Sequence, residues 1–274
     1  MIRLLFRFRE VTERRLEMRI TIGAALLILS LTATVISQQT QQLGQSDRAA
    51  AARVKALSDR LQFRDDDDAD KARYYAEFDS IRDRIRSEVD DFVRIGIDPD
   101  ATTQRTEERL RAVLADHKPN PDYGDLPFAR IADLRGGRSL LLAYTIVRPP
   151  HHDAATIRGY AFRDGRFELS TSADSDFVGY DLFTHEVTSP IPGEVWFLAW
   201  GQAEAFNGTL IRFRLYSFDG GALRIIWGPN DMFNASLRFV ANGFVIDHEV
   251  RSPQGPNQVH DEYTLTPGGP VKSN

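Results

Sequence analysis

Two histidines stand in a repeated His-Glu-Val element whose residue types could support metal chemistry. His185 and His248 each share a predicted strand face with apolar residues, because side chains two apart point the same way. Together with His260 or Asp261 they could bind a divalent metal ion. The alternative is that each histidine is a half-buried structural residue that hydrogen-bonds a neighbouring strand. We favour the structural alternative, because spacing fixes no third ligand, and we assign no metal, cofactor or catalytic residue.

Two loop segments also carry side chains that can bind metal ions. The first combines adjacent histidines with a carboxylate, and the second offers three carboxylates to calcium. Their residues are His151, His152 and Asp153 in the first, and Asp174, Asp176 and Asp181 in the second. Because neither set of ligands is complete, we interpret both segments as solvated polar loops.

Enzyme motifs with a fixed spacing are missing from the sequence. It contains no Gly-x-Ser-x-Gly elbow, no Ser-x-x-Lys element, no phosphate-binding glycine loop and no dinucleotide fingerprint. A pair of carboxylates for glycoside hydrolysis stays open, since such partners meet only in the fold. Four aromatic residues could line a sugar or peptide groove, although their strand spacing favours the core: Trp196, Trp200, Phe206 and Trp227.

Residues 38–118 have the pattern of a helical region. A first helix is predicted around residues 49–61, and four aspartates at 65–68 precede a second, where they stabilise the positive end of its dipole. The apolar residues of the second helix recur at spacings of three or four and predict one buried stripe: Tyr75, Phe78, Ile81, Ile85, Val89 and Phe92. The predicted solvated face carries Arg82, Asp83, Arg86, Glu88 and Asp90.

The end of this region is predicted from capping residues. Gly96 should end the second helix, and Asp98 followed by Pro99 should cap a third helix that runs to about Asp116. Prolines and a glycine then mark residues 119–127 as a linker.

Residues 128–270 change to a hydrophobic period of two and predict an antiparallel β domain. Glycine-containing turns join about eleven strands into hairpins: 128–134, 139–147, 156–163, 167–171, 182–187, 194–201, 209–218, 222–227, 236–240, 243–250 and 259–266. Residues 140–144 and 195–200 are apolar on both faces, so they should form central strands covered on both sides. Residues 210–215 alternate and should have one wet face. The predicted fold class is therefore α+β, with residues 271–274 as a tail.

The β region contains a degenerate internal repeat. Residues 184–190 echo residues 247–253, and residues 160–165 echo residues 215–220. Two and a half to three four-stranded units fit into this region, whereas a closed β-propeller needs at least four. We predict an open, stacked arrangement, with a partial propeller as the alternative.

One segment carries a family resemblance. Residues 131–144, an acidic loop followed by an apolar strand, resemble the repeats of FG-GAP propellers. The resemblance implies a calcium loop, but Arg135 and Arg138 stand where acidic ligands would be needed. It covers fourteen residues and implies no function.

A charge-free segment at residues 20–36 predicts the cellular location. It follows a basic stretch and precedes a polar one, the pattern of a secretory signal peptide, and we place cleavage after Ser37. Seventeen residues also lie at the lower limit for spanning a bilayer, so an uncleaved N-terminal anchor is the alternative. Translation from Met18 instead of Met1 would give a compact signal peptide. We therefore expect a periplasmic or extracellular protein, or one anchored by this segment.

The composition limits the function classes. Cysteine is absent, which excludes disulfides and thiol chemistry, and arginine greatly outnumbers lysine, as is typical of GC-rich bacterial genomes. The net charge of −5 disfavours nucleic acid as a partner. We predict a non-enzymatic, exported, β-rich interaction or structural module with a protein or carbohydrate partner. The alternatives are an exported hydrolase, with or without a metal ion, whose site assembles only in the fold, and a membrane-anchored sensor domain.

Overall fold

The computed structural model describes residues 44–61, 68–114, 128–146, 154–174, 177, 180, 182–253 and 255–273. Asp47–Asn274 forms one compact unit. The predicted signal segment, its cleavage site and both start positions lie outside the described residues. Within the described ranges, no helix combines the length and the apolar character needed to cross a bilayer.

In the described part of the chain, three helices precede the strands. Helix α1 covers residues 44–58 and continues into a 3-10 turn, Asp59–Leu61; α2 is Asp68–Gly96 and α3 is Thr103–Leu114. The predicted end of α2 at Gly96 is confirmed. Its apolar stripe is buried from Phe78 to Phe92, as its period of three or four residues requires; the side chain of Tyr75 lies outside the described residues.

The predicted cap of the third helix is wrong. Asp98 instead closes a turn, in which its side chain accepts a hydrogen bond from the Asp100 amide at 2.9 Å. Helix α3 starts four residues later, where the hydroxyl of Thr102 accepts a hydrogen bond from the Arg105 amide at 3.2 Å. Threonine satisfies the same free amide groups as aspartate, and here it is the residue next to the helical pattern.

The described residues after the helices form twelve strands, one more than predicted. Their bounds are β1 Phe128–Leu134, β2 Gly137–Ile146, β3 Ala154–Arg163, β4 Arg166–Ser172, β5 Phe183–Val187, β6 Val195–Ala205, β7 Gly208–Phe218, β8 Leu223–Trp227, β9 Met232–Val240, β10 Gly243–Ser252, β11 Gly255–Thr266 and β12 Gly269–Lys272. All pairings are antiparallel, as predicted. The additional strand, β12, contains part of the predicted tail.

The strands form three meanders of four. The first meander, β1–β4, is a separate sheet, and the second and third meanders, β5–β8 and β9–β12, share an eight-stranded sheet. Strand β7 joins these two, because it pairs with β8 near its end and with β9 at Leu210 and Ile211. The fold is thus α+β and mainly antiparallel.

Among the described residues, three hydrophobic cores lie between the helices and the meanders. The helix–sheet core packs α2 and α3 on one face of the first meander, where Leu140 and Leu142 are fully buried. The inter-sheet core packs the opposite face, with Leu141, against Phe197 of the second meander. The third core places Trp196 of the second meander against the third meander. Strands β2 and β6 are therefore covered on both faces, as predicted, and β7 has the predicted alternation.

The third meander ends this series of layers with a polar face. Arg238, Asp247, His260 and Glu262 alternate with residues that face the third core, so they point away from it. Antiparallel sheets commonly have one face packed on a core and one face in solvent.

The prediction that one face of helix α2 is solvated is partly wrong. Arg86 is only 6% exposed and donates to the Thr156 hydroxyl at 2.9 Å. Asp90 pairs with Arg158 and accepts a hydrogen bond from the Tyr160 hydroxyl at 2.7 Å. A wide apolar stripe brings its flanking positions to the edge of the interface, where long charged side chains can pair with the sheet.

Candidate binding groove

An open pocket of about 610 Å³ lies where β6, β7, β9 and β10 end. We call it the end groove. Apolar side chains form most of its lining, among them Leu210, Met232, Phe233 and Val250. Phe206 stands at its rim in the β6–β7 turn and is 88% exposed. Burying such a ring on a partner removes a large apolar area from water.

The turn that presents Phe206 depends on an Asn-Gly pair. Asn207 has a positive φ of 65°, which asparagine tolerates better than most residues. A Cβ atom at Gly208 would lie 2.1 Å from the ring of Phe233, so only glycine lets that ring pack against the turn. The hairpin therefore sets both the rim and the floor of the end groove.

A compensated ion pair forms one wall. Arg212 donates to both carboxylate oxygens of Asp231 at 2.9 Å, and the Tyr180 hydroxyl donates to the same carboxylate at 2.6 Å. The hydrogen bonds from Arg212 lower the pKa of Asp231 against the opposing effect of partial burial, and Tyr180 adds to the lowering. This carboxylate is therefore ionised and satisfied, which makes it a rigid wall and a poor general base.

The opposite wall carries Glu249 and Arg251. The Glu249 carboxylate accepts a hydrogen bond from the Asn234 amide at 2.6 Å. The Arg251 guanidinium lies 3.9 Å from the centre of the Phe233 ring, an arrangement in which cation and ring attract each other. The wall thus combines a held carboxylate with an exposed cation.

His248 lies in the end groove, but it does not meet His185. The His248 ring is 3.5 Å from Asp261, whose other oxygen pairs with Lys272 at 2.7 Å. Burial opposes ionisation of Asp261, but the Lys272 ammonium and the neighbouring His248 and Tyr263 outweigh it and lower the pKa of that carboxyl. The cation Lys272 thus occupies a place that a metal site would need.

His185 packs on an aromatic residue at the other end of β10. Its ring stacks on Phe239 at 3.8 Å, and Phe239 pairs with Phe244, four residues before His248. Four residues of strand span about 13 Å, so the two imidazoles are too far apart to share a metal ion. No group of three acidic or histidine side chains among the described residues is placed to hold a metal ion.

Of the remaining predicted polar positions, those within the described residues lie outside the end groove. His260 pairs with Asp247 at 2.6 Å on the polar face of the third meander. Asp174 pairs with Arg158 at 3.1 Å beside α2. The other members of the two loop sets, His151, His152, Asp153, Asp176 and Asp181, lie outside the described residues. The segment that resembles FG-GAP repeats forms the β1–β2 hairpin, in which Arg138 pairs with Asp133 at 3.4 Å.

The four candidate groove aromatics separate into core and surface. Trp196 is fully buried in the third core, and Trp200 and Trp227 pack against it in part. Of these four candidates, only Phe206 lines the end groove. Sequence reasoning missed Arg212, Asp231 and Arg251, for which no local pattern exists. The Asn207–Gly208 pair between alternating strands was a usable signal for the hairpin.

Comparison of the chain with protein-family models, curated proteins and solved structures found no match. The chemistry of the end groove therefore has to be argued from its own side chains. The end groove has an apolar floor, an exposed aromatic rim and two charged walls, and these are typical components of a binding surface.

Proposed function

We propose that this protein is an exported, non-enzymatic interaction module that binds a segment of a partner protein in the end groove. The observation that supports this most is Phe206, which is 88% exposed beside an apolar floor. Phe206 extends the apolar floor into a continuous surface patch; such patches mark interaction sites, and aromatic, methionine and arginine side chains are enriched in interfaces. A protein partner fits better than a carbohydrate, because most of the lining is aliphatic or phenylalanine.

We also propose that the three meanders are degenerate copies of one unit, stacked rather than closed as a propeller. Residues 160–165 and 215–220 support this, because both echoes lead from the third to the fourth strand of a meander. The other echo does not, since His185 is in the first strand of its meander and His248 in the second of the next.

Export is tested on the protein made by its own cell. Intact mass and N-terminal sequencing of the extracytoplasmic form should show a chain that begins at Gln38. A chain that retains residues 20–36 would contradict cleavage and support the membrane-anchored alternative.

Binding in the end groove is tested with a library of random 12-residue peptides displayed on phage. Selected peptides are then measured by fluorescence anisotropy on the protein and on Phe206→Ser. We expect the substitution to weaken binding at least about tenfold, the usual effect of removing a central aromatic contact. The matched control is Ile95→Ser on α2, an apolar residue that is 75% exposed and should not matter. Selected peptides that bind Phe206→Ser unchanged would disprove the proposed function.

A further inference from the structure

Arg251 is a cation of the end groove without a carboxylate partner among the described residues. Its guanidinium stacks on Phe233, and its Nη2 donates two long hydrogen bonds of 3.5 Å, to the carbonyl oxygens of Phe206 and Asn207. Arg251 is exposed, so a ligand can reach its guanidinium. Long neutral contacts of this kind leave most of a guanidinium's hydrogen-bonding capacity unused.

The other charges around the end groove are engaged. Arg212 is paired with Asp231, and Arg214 donates to the carbonyl oxygens of Phe213 and Pro229 at 2.7 and 3.0 Å. The Glu249 carboxylate is held by Asn234. Among the lining residues, Asp231 is neutralised by Arg212 and Glu249 is held by Asn234, whereas Arg251 has no carboxylate partner among the described residues. An anionic group on the ligand would supply the partner that Arg251 lacks.

The Phe233 ring, whose centre lies 3.9 Å from the Arg251 guanidinium, also restrains that group. A planar guanidinium held in this way can bind a carboxylate through two parallel hydrogen bonds, which a lysine could not do. The apolar floor next to it requires that the same ligand carry an apolar or aromatic side chain close to its carboxylate.

We propose that the end groove recognises an acidic peptide segment, in which an aspartate or glutamate pairs with Arg251 and a neighbouring apolar side chain packs under Phe206. This inference rests on the proposed function and adds the specificity of the same surface. Arg251 is the residue that determines the preference for an acidic ligand, and Phe206 provides affinity for its apolar part.

The test uses the selected peptides and two arginine variants. Enriched peptides should carry an aspartate or glutamate within three positions of an aromatic or aliphatic residue. Arg251→Gln should weaken their binding about tenfold, as expected for loss of a charge-assisted bidentate pair. Arg238→Gln is the matched control, because this exposed arginine is in β9 on the polar face of the third meander. It should leave the dissociation constant unchanged.

A double-mutant cycle makes the test specific. Replacing the peptide's acidic residue by its amide should weaken binding to the protein about tenfold but have little effect on Arg251→Gln. Raising the salt concentration from 0.05 to 0.5 M should weaken binding only when both charges are present. Peptides that need Phe206 but show no acidic residue, or additive effects in the cycle, would overturn this inference and leave the proposed function standing. Peptides that need neither residue would overturn both.

Discussion

Different kinds of side chains cover the two faces of the first meander. Towards α2, an apolar centre is bordered by a charged cluster in which Arg86 and Arg158 face Asp90 and Asp174. Towards the second meander, the contact is apolar and aromatic, with Phe197 stacked between Phe128 and Tyr216 at 5.5 and 5.1 Å.

The two kinds of contact contribute differently to an interface: apolar contacts stabilise it, and paired charges fix its geometry. In the inter-sheet core, burial of apolar area stabilises the contact, and this contribution is non-directional. Buried ion pairs add little net stability, because desolvation offsets their attraction, but they are satisfied in one arrangement only. We therefore expect the charged cluster to fix the position of α2 on the first meander, and the apolar contacts of the helix–sheet core and the inter-sheet core to contribute most of the stability.

The largest effect should follow removal of the helices. A fragment that begins at residue 121 exposes the face of the first meander that carries Leu140, Leu142 and Tyr144. If the β domain had a core of its own, this fragment would fold. Because the helix–sheet core is shared, we expect instead aggregation or loss of a cooperative melt in circular dichroism. A soluble fragment with a cooperative transition would show that the sheets fold without the helices.

The next largest effect should come from the inter-sheet core. Phe197→Ala removes a fully buried ring between two others and should lower the free energy of unfolding by about 3–5 kcal/mol. Urea denaturation measures this, with Phe206→Ala as the control at an exposed ring, for which we expect a change within about 0.5 kcal/mol. A loss below about 1 kcal/mol at Phe197 would refute the assignment of stability to this core.

Breaking the charged cluster should cost somewhat less. Arg158→Met leaves the carboxylates of Asp90 and Asp174 without their main partner and should lower stability by about 3 kcal/mol. Arg163→Met, at an exposed position of the same strand, is the control. Combined with Asp90→Asn, the loss should be much smaller than the sum of the two single losses, because both remove the same pair. Additive losses would mean that the pair contributes nothing specific.

The smallest effect should come from a tyrosine in the same cluster. Tyr144 is fully buried, and no hydrogen bond to its hydroxyl is found among the described residues. Tyr144→Phe should therefore be neutral or stabilise by about 1 kcal/mol, because it removes an unsatisfied polar group. A loss above about 1 kcal/mol would show that the hydroxyl is satisfied.

A second test of Tyr144 uses high pH, at which the unfolded chain ionises its tyrosines. Burial raises the pKa values of Tyr144 and Tyr160 above their ordinary value of about 10, and the carboxylate of Asp90 reinforces the effect at both. Both phenols are therefore neutral in the fold at a pH where the unfolded chain ionises them. Their contribution to stability is complete below about pH 10 and decreases as the pH rises above it. Tyr144→Phe should flatten this decrease in melts between pH 9 and 11, whereas an unchanged slope would contradict the assignment.

The fold could be predicted from local patterns to a large extent. Alternating runs such as residues 210–215 and the two-faced runs in β2 and β6 depend only on neighbours in sequence, and so do the Gly96 end of α2 and the glycine turns. Asp98 and Thr102 show the limit, because both are good capping residues and the choice depends on where α3 meets the first meander.

The end groove could not be predicted in the same way. Its residues come from strand ends that are far apart in sequence, and Arg251 and Asp231 have no pattern around them that marks a site. Likewise, Arg86 has the sequence surroundings of an exposed arginine, and only the packing of α2 on β3 makes it a buried one. Phe206 was named among the candidate aromatics, yet strand spacing favoured the core for it as for the three tryptophans.

Strand β7 determines how the second and third meanders would respond to mechanical force. Eleven residue pairs connect β7 to β6, whereas two connect it to β9, at Leu210 and Ile211. A pulling force on the chain beyond β9 would load those two pairs first, and they would open one after the other rather than together. Detachment of the third meander would also have to expose the third core, in which Trp196 packs against it, while β5–β8 kept its own hydrogen bonds. The end groove lies at this junction, so a ligand that bridges Leu210 and Phe233 would act as a clamp against such separation.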